Sequence, residues 1–384
     1  MIKLALIRSC SSPLRLEAYH CQEIAFAKAL AAAYPYEVDI YAAFDGFQPW
    51  EKRMVTERVR LIHVPYRRFP GQQGVHLGLL RRLGSDRYDV WQYYEDTQLM
   101  SMACALAKAV GRFKGRTVLY QGMYQDYRGV KRAAQKIYAL LANPLLRRFS
   151  DVVLAKTDAA KVYLERAKFK NVRVVPVGLD DSIGDEEEGS HACPAKLSAF
   201  INVHRPVFLY AGVVEPRRNP EFLLRLFHRM KKEYPDAGLV YIGNGPLLPE
   251  VMELKEALGL DEDLFRARRL PHQALKLVYQ TADIFLLPSG YEIYGMVILE
   301  CVWFGLPLVS LPNAGAAQIK RLTQFSGLRI QPKDFTEWEK AVREVLAIPR
   351  QQFISESMTA REKLLAAHFA KDYDARIGAG MSCE

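Results

Sequence analysis

The chain opens on "IKLALI", a short apolar run that ends at Arg8, and runs of the same kind recur along its length. In the first half they are "YEVDIYAA", "RVRLIHV", "DVWQYY", "GRTVLYQ", "DVVLAKT" and "NVRVVPV". In the second they are "PVFLYAGVV", "AGLVYIGNG", "ADIFLLPS", "LPLVSL" and "SGLRI". Each is a short β-branched or apolar run of the kind that forms a strand. Longer stretches with a helical period separate them. This βαβ rhythm predicts parallel sheets with helices on both faces. It breaks near Asp180, where "GLDDSIGDEEEGSHACPAK", including the acidic run Asp185 to Glu188, has no hydrophobic period and reads as a solvated linker. The expected organisation is therefore one α/β domain over residues 1–180, a linker over 181–205 and a second α/β domain over 206–364.

Composition changes this picture little. The 384 residues are half hydrophobic, and at ~100–200 residues per domain they suggest two cores. The opening apolar run is shorter than that of a signal peptide, and no segment approaches the ~18 apolar residues that span a bilayer, so a cytoplasmic setting is expected. The cysteines, Cys10, Cys21, Cys104, Cys193, Cys301 and Cys383, are scattered without a C-x-x-C, which indicates neither disulfides nor structural zinc. Charge is more informative. The net +10 is unevenly spread, +13 over residues 1–180 and −3 over 181–384. No zinc-finger spacing or RNP-type aromatic motif is present, which weighs against nucleic acid as the partner. "RGVKRAAQKIYALLANPLLRRFS" mixes Arg128, Lys131, Arg132, Lys136, Arg147 and Arg148 with Ile137, Tyr138, Leu140, Leu141, Leu145 and Leu146, a pattern that suits a helix lying on anionic lipid at the inner face of a membrane. The plainer reading is a surface helix whose basic side faces water.

Candidate chemistry lies in the second half. From Ile284 to Ile319 the only charged residues are Glu292 and Glu300, where ordinary composition would make ~25% of the window charged. A buried carboxylate needs a polar partner, so each glutamate either has one supplied from elsewhere in the fold or by a ligand, or lies on a half-exposed helix facing water. The strand of "ADIFLLPSGYEIYG" delivers Glu292 at its carboxyl end, with Gly295 opening the next helix. In "EPRRNPEF", Asn219 reads as an N-cap and Pro220 as the first helical residue, which sets Arg217 and Arg218 just ahead of a helix N-terminus as a diphosphate clamp. The Gly243-Asn244-Gly245-Pro246 turn permits a close backbone approach to a ligand, or is simply a tight turn. Ligands of open α/β sheets bind at such strand ends. A metal-dependent D-x-D site would have to use Asp261/Asp263 or Asp372/Asp374, both away from a strand end.

Taken in order, "VPVGLDDSIG", "AGVVEPRRNP", "YIGNGPLLPE" and "VYQTADIFLLPSGYEIYGMVILECVWFGLPLVS", with Glu292 and Glu300 as an E-x7-E element, resemble the retaining GT-B glycosyltransferases of glycosyltransferase family four. The resemblance implies two Rossmann-like α/β domains facing each other across a cleft, with a C-terminal helix over about 365–384 packing back on the first. It implies a nucleoside diphosphate sugar as donor substrate, held by the second domain, and a glycan or lipid-linked acceptor held by the first, with no cofactor and no metal. Under it Glu292 binds the donor sugar, Glu300 the ribose hydroxyls and Arg218 the diphosphate. Arg217, Asn244, Gly245 and the N–H groups near Gly295 and Met296 assist, and Glu292 and Arg218 are the catalytic pair. Three positions depart from the family pattern. Val213 stands where an arginine is frequent, Ser11 and Ser12 stand in for paired glycines, and Gln121 stands for a histidine near the sugar. A GT-B protein that binds or scaffolds without catalysis is the alternative.

Overall fold

The computed structural model describes residues 1–8, 14, 21–44, 48–69, 73–184 and 194–378. The chain divides into two compact units, Met1–Ile183 with Leu365–Glu384, and Gly184–Leu364.

In chain order the first unit holds β1 (Ile2–Ile7), α1 (Gln22–Ala33), β2 (Tyr36–Ala42), β3 (Lys52–Thr56), β4 (Val59–His63), β5 (Tyr66–Phe69), β6 (Gln73–His76), α2 (Leu79–Ser85), β7 (Val90–Tyr94), α3 (Leu99–Ala109), β8 (Arg116–Gln121), α4 (Val130–Phe149), β9 (Val152–Ala155), α5 (Asp158–Arg166) and β10 (Arg173–Val174). Its main sheet runs β10-β9-β8-β7-β1-β2-β4-β3, and β3 is antiparallel to β4. Leu4, Ala5, Leu6 and Ile7 of the central β1 are wholly buried, which is why that strand reads as a continuous apolar run.

The second unit continues with α6 (Ala195–Val203), β11 (Val207–Ala211), α7 (Pro220–Met230), β12 (Gly238–Ile242), α8 (Leu248–Ala257), β13 (Leu264–Ala267), α9 (His272–Thr281), β14 (Ile284–Leu287), α10 (Met296–Trp303), β15 (Leu308–Ser310), α11 (Ala314–Thr323), β16 (Leu328–Ile330), α12 (Phe335–Leu346) and α13 (Arg350–Leu364). Its strands are all parallel, in the order β13-β12-β11-β14-β15-β16. Counted from β11 this is the Rossmann order 3-2-1-4-5-6, whose direction of winding reverses between β11 and β14. The loops after those two strands carry Arg217, Arg218 and Glu292.

The chain returns to the first unit at α14 (Ala366–Ile377). Ala366 N donates to Leu179 O at 2.8 Å, Tyr373 meets Phe26 edge to face at 4.8 Å, and the Tyr36 hydroxyl donates to Asp374 Oδ1 at 3.0 Å. Residues 379–384 of the expected terminal helix lie outside the described residues.

Two expectations need correction. The segment expected as linker over 181–205 is not all loop, since Asp181–Gly184 makes a 3-10 turn and Ala195–Val203 is a helix that buries Leu197 and Ile201. That pair, one helical turn apart, was hidden by the acidic run before it, which itself lies outside the described residues. Four strands also went unread. The exposed β3 carries Lys52 and Arg53, β5 and β6 form a small hairpin containing Arg67 and Arg68, and β13 is an edge strand broken by Arg266. Charged residues on edges are tolerated because one side of the strand meets water, and they erase the apolar run. Among the described residues no helix is long and apolar enough to cross a membrane.

Candidate functional site

β11 ends at Ala211, and the chain passes through Gly212 to a 3-10 turn, Pro216–Arg218, that leads into α7. Arg218 is 9% exposed. Its Nη1 lies 2.6 Å from Glu292 Oε1, and Glu292 is itself 6% exposed. Arg217 is more open. It pairs through Nε with Glu215 at 2.7 Å, reaches the same Glu292 oxygen at 3.3 Å, and donates from Nη1 to Tyr291 O at 2.7 Å. Two guanidinium groups thus converge on one buried carboxylate at the point where the sheet order reverses. The Glu292 carboxylate meets Arg218 Nη1, and Arg218 Nε has no hydrogen-bond acceptor among the described residues. A buried donor left so costs ~1–3 kcal/mol, and an anionic oxygen would satisfy it.

The two loops are stitched together by main-chain groups. Gly290 N donates to Arg217 O at 3.1 Å, and Asn219 Nδ2 donates to Pro288 O at 2.8 Å while its Oδ1 accepts from Lys333 at 2.7 Å. Asn219 therefore precedes α7, in a left-handed conformation with φ 46°, but its side chain does not cap the helix as expected. It spans the loops instead. Gly295 has φ +80°, which favours glycine, and opens α10. Met296 begins that helix, whose amino end carries partial positive charge.

Glu300 lies on α10 and is 5% exposed, so it does not face water. The Tyr279 hydroxyl, from α9, donates to its Oε2 at 2.5 Å. Burial pushes the carboxyl up to about 7, with the Tyr279 hydrogen bond pulling the other way. Tyr279 was not legible as a partner, because only the packing of α9 on α10 brings them together. Asn313 was also missed, although an asparagine ahead of "AGAAQ" is a legible N-cap. Its Oδ1 accepts from Ala316 N at 2.8 Å, and its Nδ2 donates to Ser289 O at 3.1 Å, tying α11 to the Glu292 loop.

The glycine turn lies close against the loop that follows β11. A side chain at Gly243 would strike Gly212 O, and one at Gly245 would strike Val214 O. Val214 N donates to Asn244 O at 3.0 Å. The close backbone approach is thus to the adjoining β11 loop, with Asn244 exposed at the tip and Val213 49% exposed beside it.

In the first unit, Gln121 ends β8 wholly buried. Its Oε1 accepts from Asp96 N at 2.8 Å, and its Nε2 donates to Asp96 Oδ1 and to Met123 O, both at 3.1 Å. The amide is committed to holding the β7 and β8 loops. Desolvation, with neighbouring Glu95 adding to it, pushes Asp96 up to about 7. Ser11 and Ser12 lie outside the described residues.

Two family models match the chain: "Glycosyl transferases group 1" over residues 196–359 and "Glycosyltransferase Family 4" over residues 24–183. The chain belongs to glycosyltransferase family four. Among its relatives in the family, a D-inositol 3-phosphate glycosyltransferase of Segniliparus rotundus is 26% identical over 53% of this chain and 46% of the relative. A GDP-mannose-dependent alpha-(1-6)-phosphatidylinositol monomannoside mannosyltransferase of Mycolicibacterium smegmatis is 28% identical over 38% of this chain and 40% of the relative. The chain spans about half the length of the curated relatives it matches. Of solved structures, sucrose-phosphate synthase of Thermosynechococcus elongatus superposes with a TM-score of 0.76 at 17% identity over 100% of both chains. Anabaena HepE in complex with UDP-glucose does so with a TM-score of 0.72 at 14% identity, over 99% of this chain and 100% of that one. The family member described here has the GT-B fold, two Rossmann-like α/β domains.

Proposed function

We propose that this family-four protein transfers a glycosyl group from a nucleoside diphosphate sugar to a hydroxyl of a glycan or lipid-linked acceptor, with the anomeric configuration retained and without a metal. The observation that carries the reading is the buried Arg218, whose Nε has no acceptor among the described residues, set against Glu292 at the reversal of the β11/β14 sheet order. In this reading Arg218, Arg217 and the amino end of α10 take the diphosphate, Glu292 lies against the sugar and Glu300 holds the ribose hydroxyls, with Asn244 and Gly245 at the rim. The bond from the anomeric carbon to the phosphate oxygen breaks with its electron pair going to the phosphate. The acceptor oxygen bonds to the same face of that carbon, and its proton passes to the departing phosphate. Positive charge already in place stabilises that departure, as electrostatic preorganisation requires. Assembly of a bacterial surface polysaccharide or glycolipid suits both the relatives named for inositol-phosphate acceptors and the acceptor class proposed.

A panel of UDP-, GDP- and dTDP-sugars screened for thermal stabilisation tests this. A ligand at 100 times its Kd adds ~2.7 kcal/mol, so one nucleotide series should raise the melting temperature well beyond the others. Arg218→Ala should then lose far more affinity for the nucleoside diphosphate than for the nucleoside, because a charge-assisted hydrogen bond contributes ~1.5–3 kcal/mol. Stabilisation by no member of the panel would favour a non-catalytic scaffold, and equal losses would remove Arg218 from the diphosphate.

A further inference from the structure

We propose that the outward face of α4, together with the basic groove at its carboxyl end, is a docking surface for an anionic lipid bilayer. α4 is fastened to the first unit along one side, where Gln135, Ala142, Asn143 and Leu146 are buried. Gln135 Oε1 accepts from Tyr127 N at 2.7 Å, its Nε2 donates to the Tyr163 hydroxyl at 3.0 Å, and the Tyr138 hydroxyl donates to Gln98 O at 2.7 Å. A helix so placed ordinarily turns polar residues to water. Here Val130 is 90% exposed, Ile137 65%, Leu140 74% and Leu141 72%. At 100° per residue Val130, Ile137 and Leu141 fall on one line along the helix, with Leu140 beside it, on the side away from the buried residues. Lys131 lies to one side of that line and Lys136 and Arg147 to the other, and Arg148 lies on it. The helix contains no Asp or Glu.

The line of apolar side chains runs into a groove lined by Arg147, Arg148, Lys168, Lys170, Arg173 and Arg376. Among the described residues its one carboxylate is already occupied: Asp151 pairs with Lys108 and accepts from Thr117 N and Oγ1 at 2.8 and 2.9 Å. On the helix itself, Arg132 is paired with Asp126 at 3.5 Å. Nucleic acid would meet the cations but gain nothing from four bare aliphatic side chains. A second copy in a two-fold pairing would bring the same cations against one another. An anionic bilayer answers both features at once, with acyl chains around Ile137, Leu140 and Leu141 and headgroup phosphates in the groove.

The test is sedimentation of the full chain with vesicles of phosphatidylcholine alone and of phosphatidylcholine with phosphatidylglycerol, at low and high salt. The chain should sediment with the anionic vesicles, less as salt rises, and hardly at all with the neutral ones. The variants I137S/L141S and R147Q/R148Q/K170Q should each lower binding by roughly tenfold or more, with circular dichroism and nucleotide-sugar binding unchanged. Equal binding to both vesicles, no binding to either, or variants that bind as the wild type does would overturn the proposal. So would a dimer that I137S/L141S dissolves and no vesicle binding, which would make the face a contact between copies. If a variant fails to fold, the wild-type comparison of the two vesicles decides by itself.

Discussion

Glu292 and Glu300 share an apolar window in the chain but meet different surroundings in the fold, so removing their charges should have different consequences. Glu292 faces two guanidinium groups. Glu292→Gln keeps its shape and frees both cations for phosphate, so binding of the nucleoside diphosphate should hold or tighten. kcat should fall ~10²-fold or more, because the carboxylate no longer favours positive charge developing at the anomeric carbon. Steady-state kinetics with the donor read both quantities, and an unchanged kcat would reduce Glu292 to a counter-charge for the arginines. Glu300 makes a prediction about pH. Its carboxyl is raised from 4.5 to about 7, so the folded chain holds that proton more tightly than the unfolded chain does between those values. The stability this adds is full below 4.5 and lost as pH rises through about 7. At 1.36 kcal/mol per pKa unit the loss is roughly 3 kcal/mol. Glu300→Gln has no such titration and can still accept from Tyr279. In denaturant unfolding at about pH 5 and about pH 8 the wild type should lose more stability than the variant. Parallel losses would mean that Glu300 titrates normally.

At the scale of the element, the site depends on how closely α11 is pressed against the Glu292 loop. A side chain at Gly315, in the first turn of α11, would strike Tyr294 O, and Gly315 N donates to Glu292 O at 3.3 Å. In an exposed helix, replacing glycine by alanine stabilises by ~1 kcal/mol. Here the sign should reverse: Gly315→Ala should lower the unfolding free energy by more than ~1 kcal/mol, because α11 must move away from the loop. A higher melting temperature for this variant would show that the approach is looser than described. This contact was not legible, since "PNAGAAQ" advertises a helix start but not what lies against it. The strands that carry the site were legible, because β11 and β14 are buried on both faces and leave unbroken apolar runs. β13 was not, because an edge strand can hold Arg266 at no cost to its pairing.

At the scale of the molecule, α14 belongs to the first unit although the chain reaches it last. Phe369, Tyr373 and Ile377 are buried there, each worth ~1.5–3 kcal/mol on burial, against a total stability of ~5–15 kcal/mol for a domain. A chain ending at Leu364 should therefore lose the solubility and the cooperative unfolding of its first unit. Size-exclusion chromatography and thermal circular dichroism check this, and a soluble, cooperatively melting truncation would show α14 to be dispensable. The sequence alone determined what local periodicity encodes: two series of buried parallel strands, the loops at their carboxyl ends, and the isolation of two glutamates in an apolar window. Tertiary structure decided the partners. Arg217 and Glu292 are 75 residues apart in the chain and Tyr279 and Glu300 are 21, and nothing in a 3.6- or 2-residue period specifies which loop meets which. It also decided that Gln121 is committed inside the first unit and that the apolar residues of α4 face outward. A side chain's type states which bonds it can make, but only the order of strands in the sheet and the packing of helices upon it determine which ones it does.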